Sequence, residues 1–468
     1  MDLLEYIDPE DDLFGSIEYK RLIHTTDQSR LLNLSTQLSW RMNQHPDNNT
    51  AYYYLGVDDD GLITNQTQDS INRSIDNIKK ICLLIKSNIS SIKKITTNKN
   101  NYYYIIKITK EQKNTSNIRI CFLGCDNTGK STLISLLTYD CLDNGRGSAR
   151  TSIYKYDHEY KLGFTSSIKI ELIGYDISNN KIYNYKNSSS WSNIINKSDQ
   201  LVQFIDLPGS KKYLKTTLYA LSAYKPDHAI ILYSDKLYVY VDICKDLNLP
   251  YTIINNKSDI YINPDYLNIS AVTGDNIDKL HDIIKNINSI KNICSSDQVI
   301  FYIHEIFYIS YLGIIVSGLL YSGTININDE LLLGPDKKDQ SYKKIIVKSI
   351  HNKQISVNSL THNNLGTLLI SVDHDFKITK YMSIINKETD RYNTFRIRYS
   401  GDLIINNIIA CAHINNIYEQ VFIKQLDLDL DQDIYQVTFL QDRSHMITNQ
   451  DMIIINYNKS VIISKIFL

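Results

Sequence analysis

The 468-residue chain has no excess of either charge, with 50 Lys and Arg against 51 Asp and Glu. That balance excludes a polypeptide holding nucleic acid by bulk positive charge, and no basic stripe runs along it. The seven cysteines are scattered and form no Cys-x-x-Cys pair, so neither a zinc site nor a disulfide framework is expected. The first residues, MDLLEYIDPEDD, are acidic where a secretory leader would be basic and then apolar. No apolar run reaches the length of a bilayer span, and there is no exact internal repeat. These absences leave a soluble, cytoplasmic protein, expected to be monomeric and to have no membrane or DNA partner. Ile, Asn, Lys and Tyr are abundant, which points to an AT-rich coding sequence more than to chemistry. Asn-rich loops and Tyr clusters therefore carry no functional weight. The length suggests about three or four domains, each able to bury its own core.

The most informative stretch that is present lies at residues 120–133. An apolar run that reads as a buried strand ends at Gly124. Residues 124–131 have the spacing G-x-x-x-x-G-K-S, and residues 132–138 continue with helical periodicity. Strand, glycine loop and helix together form the context of a phosphate-binding P-loop. Backbone N–H groups from Gly124 through Asp126, Asn127, Thr128 and Gly129 to Thr132 can converge on phosphate oxygens, helped by the helix start. Lys130 would lie against the β- and γ-phosphates and the Ser131 hydroxyl on Mg²⁺.

Before this loop, residues up to about 28 read as a weakly packed lead-in. Helical periodicity follows at 31–42 and 70–85, the latter with Ile71, Ile75, Ile78, Ile81, Cys82 and Ile85 on one face. Strands are expected at 52–57, with a solvated turn at 58–61, and at 102–108. Residues 1–115 thus form a small α+β domain, with 110–117 as a linker.

Beyond the P-loop, residues 163–167 (GFTSS) precede a strand at 168–173, and Thr165 is placed to reach Mg²⁺ and the γ-phosphate. A strand from 201 ends in D-x-x-G at Asp206 and Gly209. Asp206 can hold the Mg²⁺ hydration shell, and the Gly209 N–H can bond the γ-phosphate. Loss of that phosphate would release Thr165 and Gly209, an order–disorder switch. A helix is expected at 213–221 and a strand at 229–233. The strand from 251 ends in N-K-x-D, formed by Asn256, Lys257 and Asp259. The Asp259 carboxylate can accept from both N1–H and the exocyclic amine of guanine, a donor pair that adenine lacks. Lys257 would lie along the base, and Ser270, Ala271 and Val272 would offer backbone N–H to its O6. A helix over 277–287 closes an α/β P-loop GTPase domain spanning 116–295. Its motifs lie at the C-terminal ends of strands, as open α/β sheets require. GTP or GDP with Mg²⁺ is the expected cofactor.

From residue 297 the period shortens. Strands are expected at 299–308, 313–318, 320–325, 330–333, 343–351 and 367–372, then at 394–399, 404–414, 421–426, 436–440, 452–457 and 461–466. The Leu-Asp alternation at 426–431 reads as a strand edge running into an acidic loop. Two β-barrels follow, at 296–378 and 379–468.

This order resembles the translational GTPases of the elongation factor Tu and elongation factor 1-alpha type, most closely the GTP-binding protein 1/2 subgroup. The residues carrying the resemblance are 142–150 (LDNGRGSAR), 163–167, 204–217, 313–318, 329–335 and 347–351. Trp40 to Met42 and Gly56 to Leu62 resemble that subgroup's N-terminal extension. The resemblance implies a GTP/GDP switch in protein biosynthesis, delivering aminoacyl-tRNA or serving RNA surveillance on the ribosome. Three departures stand out. Ser210 occupies the position of the water-positioning histidine beside the catalytic Thr165 and Gly209. Asn127 replaces an Asp, and Phe164 replaces an Arg. A positioned group of the histidine's kind is worth roughly 10²–10⁴-fold, so GTP hydrolysis is expected to be slow. Two alternatives stay open: a hydrolysis-poor binding module, and a regulatory GTPase subunit of a metabolic enzyme such as one of sulfate activation.

Overall fold

The computed structural model describes residues 5–8, 15–25, 27–44, 50–85, 87–97, 100–110, 116–185, 190–288, 297–336, 339–372, 376–399, 405–427, 433–441, 444–449, 451–457 and 460–468. The chain divides into two compact units, residues 1–114 and 115–468. Among the described residues no helix is long and apolar enough to cross a membrane.

The first unit is a four-stranded sheet with two helices: β1 (Ile17–Lys20), α1 (Gln28–Gln44), β2 (Thr50–Leu55), α2 (Gln68–Leu84), β3 (Ser87–Thr96) and β4 (Tyr102–Lys110). The strand order is β1-β2-β4-β3, with β1 parallel to β2 and the other pairs antiparallel. Alternate residues of β2 and β4 (Tyr53, Leu55, Ile106, Ile108) meet the apolar stripe of α2 (Ile71, Ile78, Ile81) in one buried core. The Thr67 hydroxyl accepts from the Ser70 N–H and caps the start of α2. The expected lead-in is corrected here. Residues 17–20 form a strand whose Tyr19 is buried, and Ile23 behind it joins the core. Four residues are too few to display a period.

The second unit begins with β5 (Ser116–Leu123), α3 (Lys130–Tyr139), α4 (Asp157–Leu162), β6 (Lys169–Tyr175), β7 (Lys181–Ile182), α5 (Ser190–Lys197), β8 (Gln200–Asp206), α6 (Leu214–Ala223), β9 (His228–Leu232), α7 (Leu237–Asp246), β10 (Tyr251–Asn256), β11 (Leu267–Ile269) and α8 (Ile277–Asn286). The sheet order is β11-β10-β9-β5-β8-β6-β7. Its inner strands are parallel, and β6 runs antiparallel to β8. β5 is buried on both faces, which accounts for its nearly unbroken apolar sequence. Ile118, Ile120 and Phe122 pack with α3 and α8 residues, while Cys121 and Leu123 pack with α6 and α7 residues. Arg119 is the exception. Its buried guanidinium donates to the Lys225 carbonyl at 2.9 Å and to the Asn363 carbonyl and side-chain oxygen at 2.6 and 2.5 Å.

Nine strands follow: β12 (Ile300–Ile309), β13 (Gly313–Ser322), β14 (Thr324–Asn326), β15 (Glu330–Gly334), β16 (Lys343–Asn352), β17 (Ile355–Val357), β18 (Ser359–Thr361), β19 (Asn364–Ser371) and β20 (Ser383–Ile385). Six of them close a barrel in the order β15-β20-β12-β13-β19-β16, with β16 returning to β15. The break expected in β13 at Gly318 is not there. A Cβ at that glycine would run into the Tyr302 carbonyl of β12, so the glycine serves close strand approach, not a turn. β20 lies beyond residue 378, where the first barrel was expected to end. It nevertheless pairs with β12 and β15 and completes that barrel.

The second barrel comprises β21 (Thr394–Tyr399), β22 (Ile408–Ile414), β23 (Ile417–Asp427), β24 (Asp433–Phe439), β25 (Met452–Tyr457) and β26 (Ser460–Phe467), closed in the order β21-β24-β23-β22-β25-β26. Residues 428–432, most of the expected Leu-Asp alternation, lie outside the described residues, as do 111–115 of the expected linker. α6 packs on β22 and β25, and α7 on β26. Lys215 of α6 places its ammonium 3.5 Å from the ring centre of Tyr418.

Candidate functional site

The carboxyl ends of β5, β8 and β10 open onto one side of the central sheet, and the expected site residues gather there. The loop leaving β5 is curled by left-handed backbone at Asn127 (φ 63°) and Gly129 (φ 89°). Gly129 cannot be replaced cheaply, because its φ of 89° is strained for any side chain and a Cβ there would also displace the Asn256 amide. Asn256 in turn donates to the Thr128 carbonyl at 3.0 Å, and the Thr128 hydroxyl donates to the Cys125 carbonyl at 2.9 Å. Lys130 opens α3 and folds back over the loop. Its ammonium donates to the Gly124 and Cys125 carbonyls at 2.8 and 2.9 Å. Burial lowers the Lys130 pKa, opposed by the nearby Asp206 and Asp126 carboxylates.

Ser131, Thr165 and Asp206 come from three different elements and converge. The Ser131 hydroxyl donates to Asp206 Oδ2 at 2.8 Å and lies 2.7 Å from the Thr165 hydroxyl, which donates to the same carboxylate oxygen at 3.1 Å. Asp206 is fully buried, and its other oxygen, Oδ1, has no hydrogen-bond partner among the described residues. Burial raises its pKa, opposed by the Ser131 hydrogen bond and the charges of Lys169 and Lys130. An orphaned buried acceptor is costly unless a ligand satisfies it.

Gly209 lies hard against the P-loop. A Cβ at this position would meet the Lys130 ammonium and stand 2.6 Å from the Cys125 carbonyl carbon. The Thr217 hydroxyl of α6 donates to the Pro208 carbonyl at 2.9 Å and ties this loop down. The Ser210 carbonyl accepts from the Tyr213 N–H at 2.9 Å in the short turn that follows, while its side chain caps nothing. Asp126, Asn127, Lys130, Ser131, Thr132, Thr165 and Gly209 line one cleft.

At the other end of the loop, the Ser270 hydroxyl donates to Asp259 Oδ1 at 2.6 Å and accepts from the N–H groups of Val272 and Thr273 at 3.2 and 3.1 Å. The Ser270 N–H is taken by the Asp275 carbonyl. Of the three N–H groups expected to face a base oxygen, those of Ser270 and Val272 are therefore engaged, leaving Ala271. Lys257 adopts a left-handed turn at φ 68° and projects into solvent.

Sequence reasoning assigned no role to three other residues found here. Glu159 of α4 and Lys169 of β6 form a fully buried ion pair at 2.7 Å. Glu159 also accepts from the N–H groups of Ser166 (2.8 Å) and Lys155 (3.0 Å), so it anchors the loop that carries Thr165. Burial opposes ionisation of Glu159, but the Lys169 ammonium and those N–H groups outweigh it and hold the pKa at about 2. The third residue, Arg150, lines the cleft facing the P-loop. A six-residue helix and an arginine in a glycine loop have no signature by which sequence alone could find them.

Residues 115–376 match the family described as the elongation factor Tu GTP binding domain. GTP-binding protein 2 of Mus musculus is 25% identical over 452 residues, covering 82% of this chain and 73% of the relative. GTP-binding protein 1 of Xenopus laevis is 26% identical over 336 residues, covering 60% of this chain and 51% of the relative, about half its length. Among solved structures, bacterial selenocysteine-specific elongation factor EF-Sec superposes with a TM-score of 0.58 at 16% identity, over 75% of this chain and 58% of that one. The chain thus spans less than two thirds of that factor. The GTP-bound GTPase-like domain of S. cerevisiae Ski7 superposes with a TM-score of 0.59 at 16% identity, over 75% of this chain and 97% of that one. At such identity the two structures speak for the shared fold alone.

Proposed function

Because the chain belongs to the elongation factor Tu GTP-binding family, we propose that it is a GTP/GDP switch acting on aminoacyl-tRNA, mRNA surveillance or the ribosome, with weakened hydrolysis. The observation that carries this reading is the convergence of Ser131, Thr165 and Asp206 beside the P-loop. Two hydroxyls and a carboxylate with an unpaired oxygen are a hard-oxygen donor set suited to Mg²⁺. These three residues would hold the ion, which when bound neutralises the β- and γ-phosphate oxygens.

The chain's own groups do the rest. Lys130 exchanges its two carbonyl partners for phosphate oxygens, and the Gly209 N–H faces the γ-phosphate. Asp259, oriented by Ser270, accepts from the guanine edge, and the Ala271 N–H donates to O6. Thr165 and Gly209 answer to the γ-phosphate, and α6, which leads out of the Gly209 loop, packs directly on the second barrel. A partner touching both the cleft face and a barrel would therefore bind one nucleotide state better, and the coupling is reciprocal. The reading entails a cytoplasmic protein.

Ser210 favours a second version, a binding module that docks when GTP-loaded and turns over poorly. A serine is too short to reach a water at the γ-phosphate and cannot become a cation. The Ski7 GTPase-like domain, a relative in fold, has been captured both with GTP and with GDP plus inorganic phosphate.

Sedimentation with ribosomes and filter binding to aminoacyl-tRNA, at fixed near-physiological salt, test the switch. Tighter association is expected with a non-hydrolysable GTP analogue than with GDP. Equal association in both states, or none, would favour a regulatory subunit of a metabolic enzyme. Single-turnover hydrolysis with and without ribosomes separates the switch from the poorly hydrolysing module.

A further inference from the structure

We propose that Arg150 is a second phosphate-facing cation of this cleft, acting on the terminal phosphate of the bound nucleotide. The inference rests on the reading of the cleft as a GTP site and adds a residue to it.

The cations around the cleft differ in what already occupies them. Lys130 is engaged with two P-loop carbonyls, and Lys169 is committed to Glu159. Arg150 also lines the cleft, yet its guanidinium has no hydrogen bond or ion pair among the described residues. Phe164, which also lines the cleft, supplies no charge and packs against the Tyr213 ring, with centroids 6.1 Å apart.

The position of Arg150 is built. The Asp143 carboxylate accepts from the N–H groups of Gly147 and Ala149 at 3.0 and 2.9 Å, folding the loop that delivers the arginine. The Ser135 hydroxyl of α3 donates to the Ala149 carbonyl at 2.6 Å and pins that loop to the helix carrying Lys130 and Ser131. Two left-handed glycines then make room for the side chain. A Cβ at Gly147 would stand 2.6 Å from the guanidinium carbon, and one at Gly163 would stand 3.0 Å from a terminal nitrogen. Gly163 is two residues before Thr165, so the fork lies at the end of the cleft where Thr165 and Gly209 stand. A planar five-donor fork held there without a counter-ion suits phosphate oxygens.

Titration calorimetry of the full chain with GDP and with a non-hydrolysable GTP analogue, alongside thermal melts, tests the assignment. Arg150→Gln is expected to weaken the triphosphate analogue by about 10–100-fold, the worth of a charge-assisted hydrogen bond or two, while GDP affinity stays within about threefold. Arg150→Lys should recover part of the loss, because it keeps the charge and loses the fork. Unchanged triphosphate affinity in Arg150→Gln would overturn the assignment. So would an equal loss for both nucleotides, which would make Arg150 a general anchor or a structural residue. If Arg150→Gln does not fold, Arg150→Lys carries the same comparison, and a loss there that does not favour the triphosphate overturns it. Failure of the unmutated chain to bind either nucleotide would instead remove the GTP reading, and this one with it.

Discussion

Breaking the Glu159–Lys169 pair should loosen the Thr165 loop and destabilise the domain around it. Both side chains are fully buried and 2.7 Å apart, and removing one partner of such a pair typically costs about 3–5 kcal/mol. A second line gives a similar magnitude. The Glu159 pKa is held at about 2 against an ordinary 4.5, which sets an upper limit of about 3 kcal/mol of stability before solvent screening. Because the folded-state value is depressed, that stability is fully present above about pH 4.5 and is lost as the pH falls toward about 2. The chain has two tryptophans, and Trp191 lies in α5 against the core formed by Leu172, Ile194 and Leu201. In a Trp40→Phe background, Trp191 fluorescence in urea therefore reports this domain alone. Glu159→Gln and Lys169→Met should each lower its stability by about 3 kcal/mol, and the double variant by clearly less than their sum. Hydrogen exchange at the Ser166 amide, which donates to Glu159, should quicken in step. A coupling below about 0.5 kcal/mol, or stability unchanged between pH 6 and pH 3, would refute the reasoning.

Asp259→Asn should cost guanine affinity by about 10³-fold or more and shift preference toward a xanthine nucleotide, because the amide donates where that base offers a carbonyl; competitive nucleotide titration decides it. Ser210→His should raise single-turnover hydrolysis by roughly 10²-fold if the ring reaches the cleft; rapid turnover in the unmutated chain would show that another group positions the water. Thr165→Ala removes one of the two hydroxyls on Asp206 and should abolish most of the difference between triphosphate and diphosphate binding to ribosomes, leaving GDP affinity nearly unchanged; sedimentation in the two states measures it.

The α/β sheet and the two barrels were legible because their patterns are long. β5 and β8 are largely apolar strands, interrupted at Arg119 and Gln203, that end in glycine or Asp motifs, and the barrel strands alternate between turn residues. Elements whose identity depends on distant partners were not legible. β1 needs β2 to be a strand at all, and β20 is three residues that close a barrel begun eighty residues earlier. A break between residues 318 and 320 was expected because sequence cannot show the carbonyl of the neighbouring strand pressing on Gly318. In the site, the motif residues come together because each stands at a strand's end. Glu159 and Arg150 escaped for the opposite reason: burial and orphaned charge are properties of the packed molecule, not of spacing.

The buried Arg119 guanidinium has a consequence for how the protein is made. Its partner Asn363 lies 244 residues further along the chain. At about 5–20 residues per second, synthesis leaves an interval on the order of 12–50 s in which β5 exists but that partner does not. During this interval the guanidinium has, among the described residues of its own domain, only the Lys225 carbonyl, and burying the charge with its remaining donors unmet is costly, so that end of the side chain stays in water. The strand carrying the P-loop can therefore reach its final packing only after the first barrel has emerged far enough to offer residue 363. A nascent chain cut short of that residue should leave the nucleotide domain incompletely closed around Arg119, however complete its own sequence.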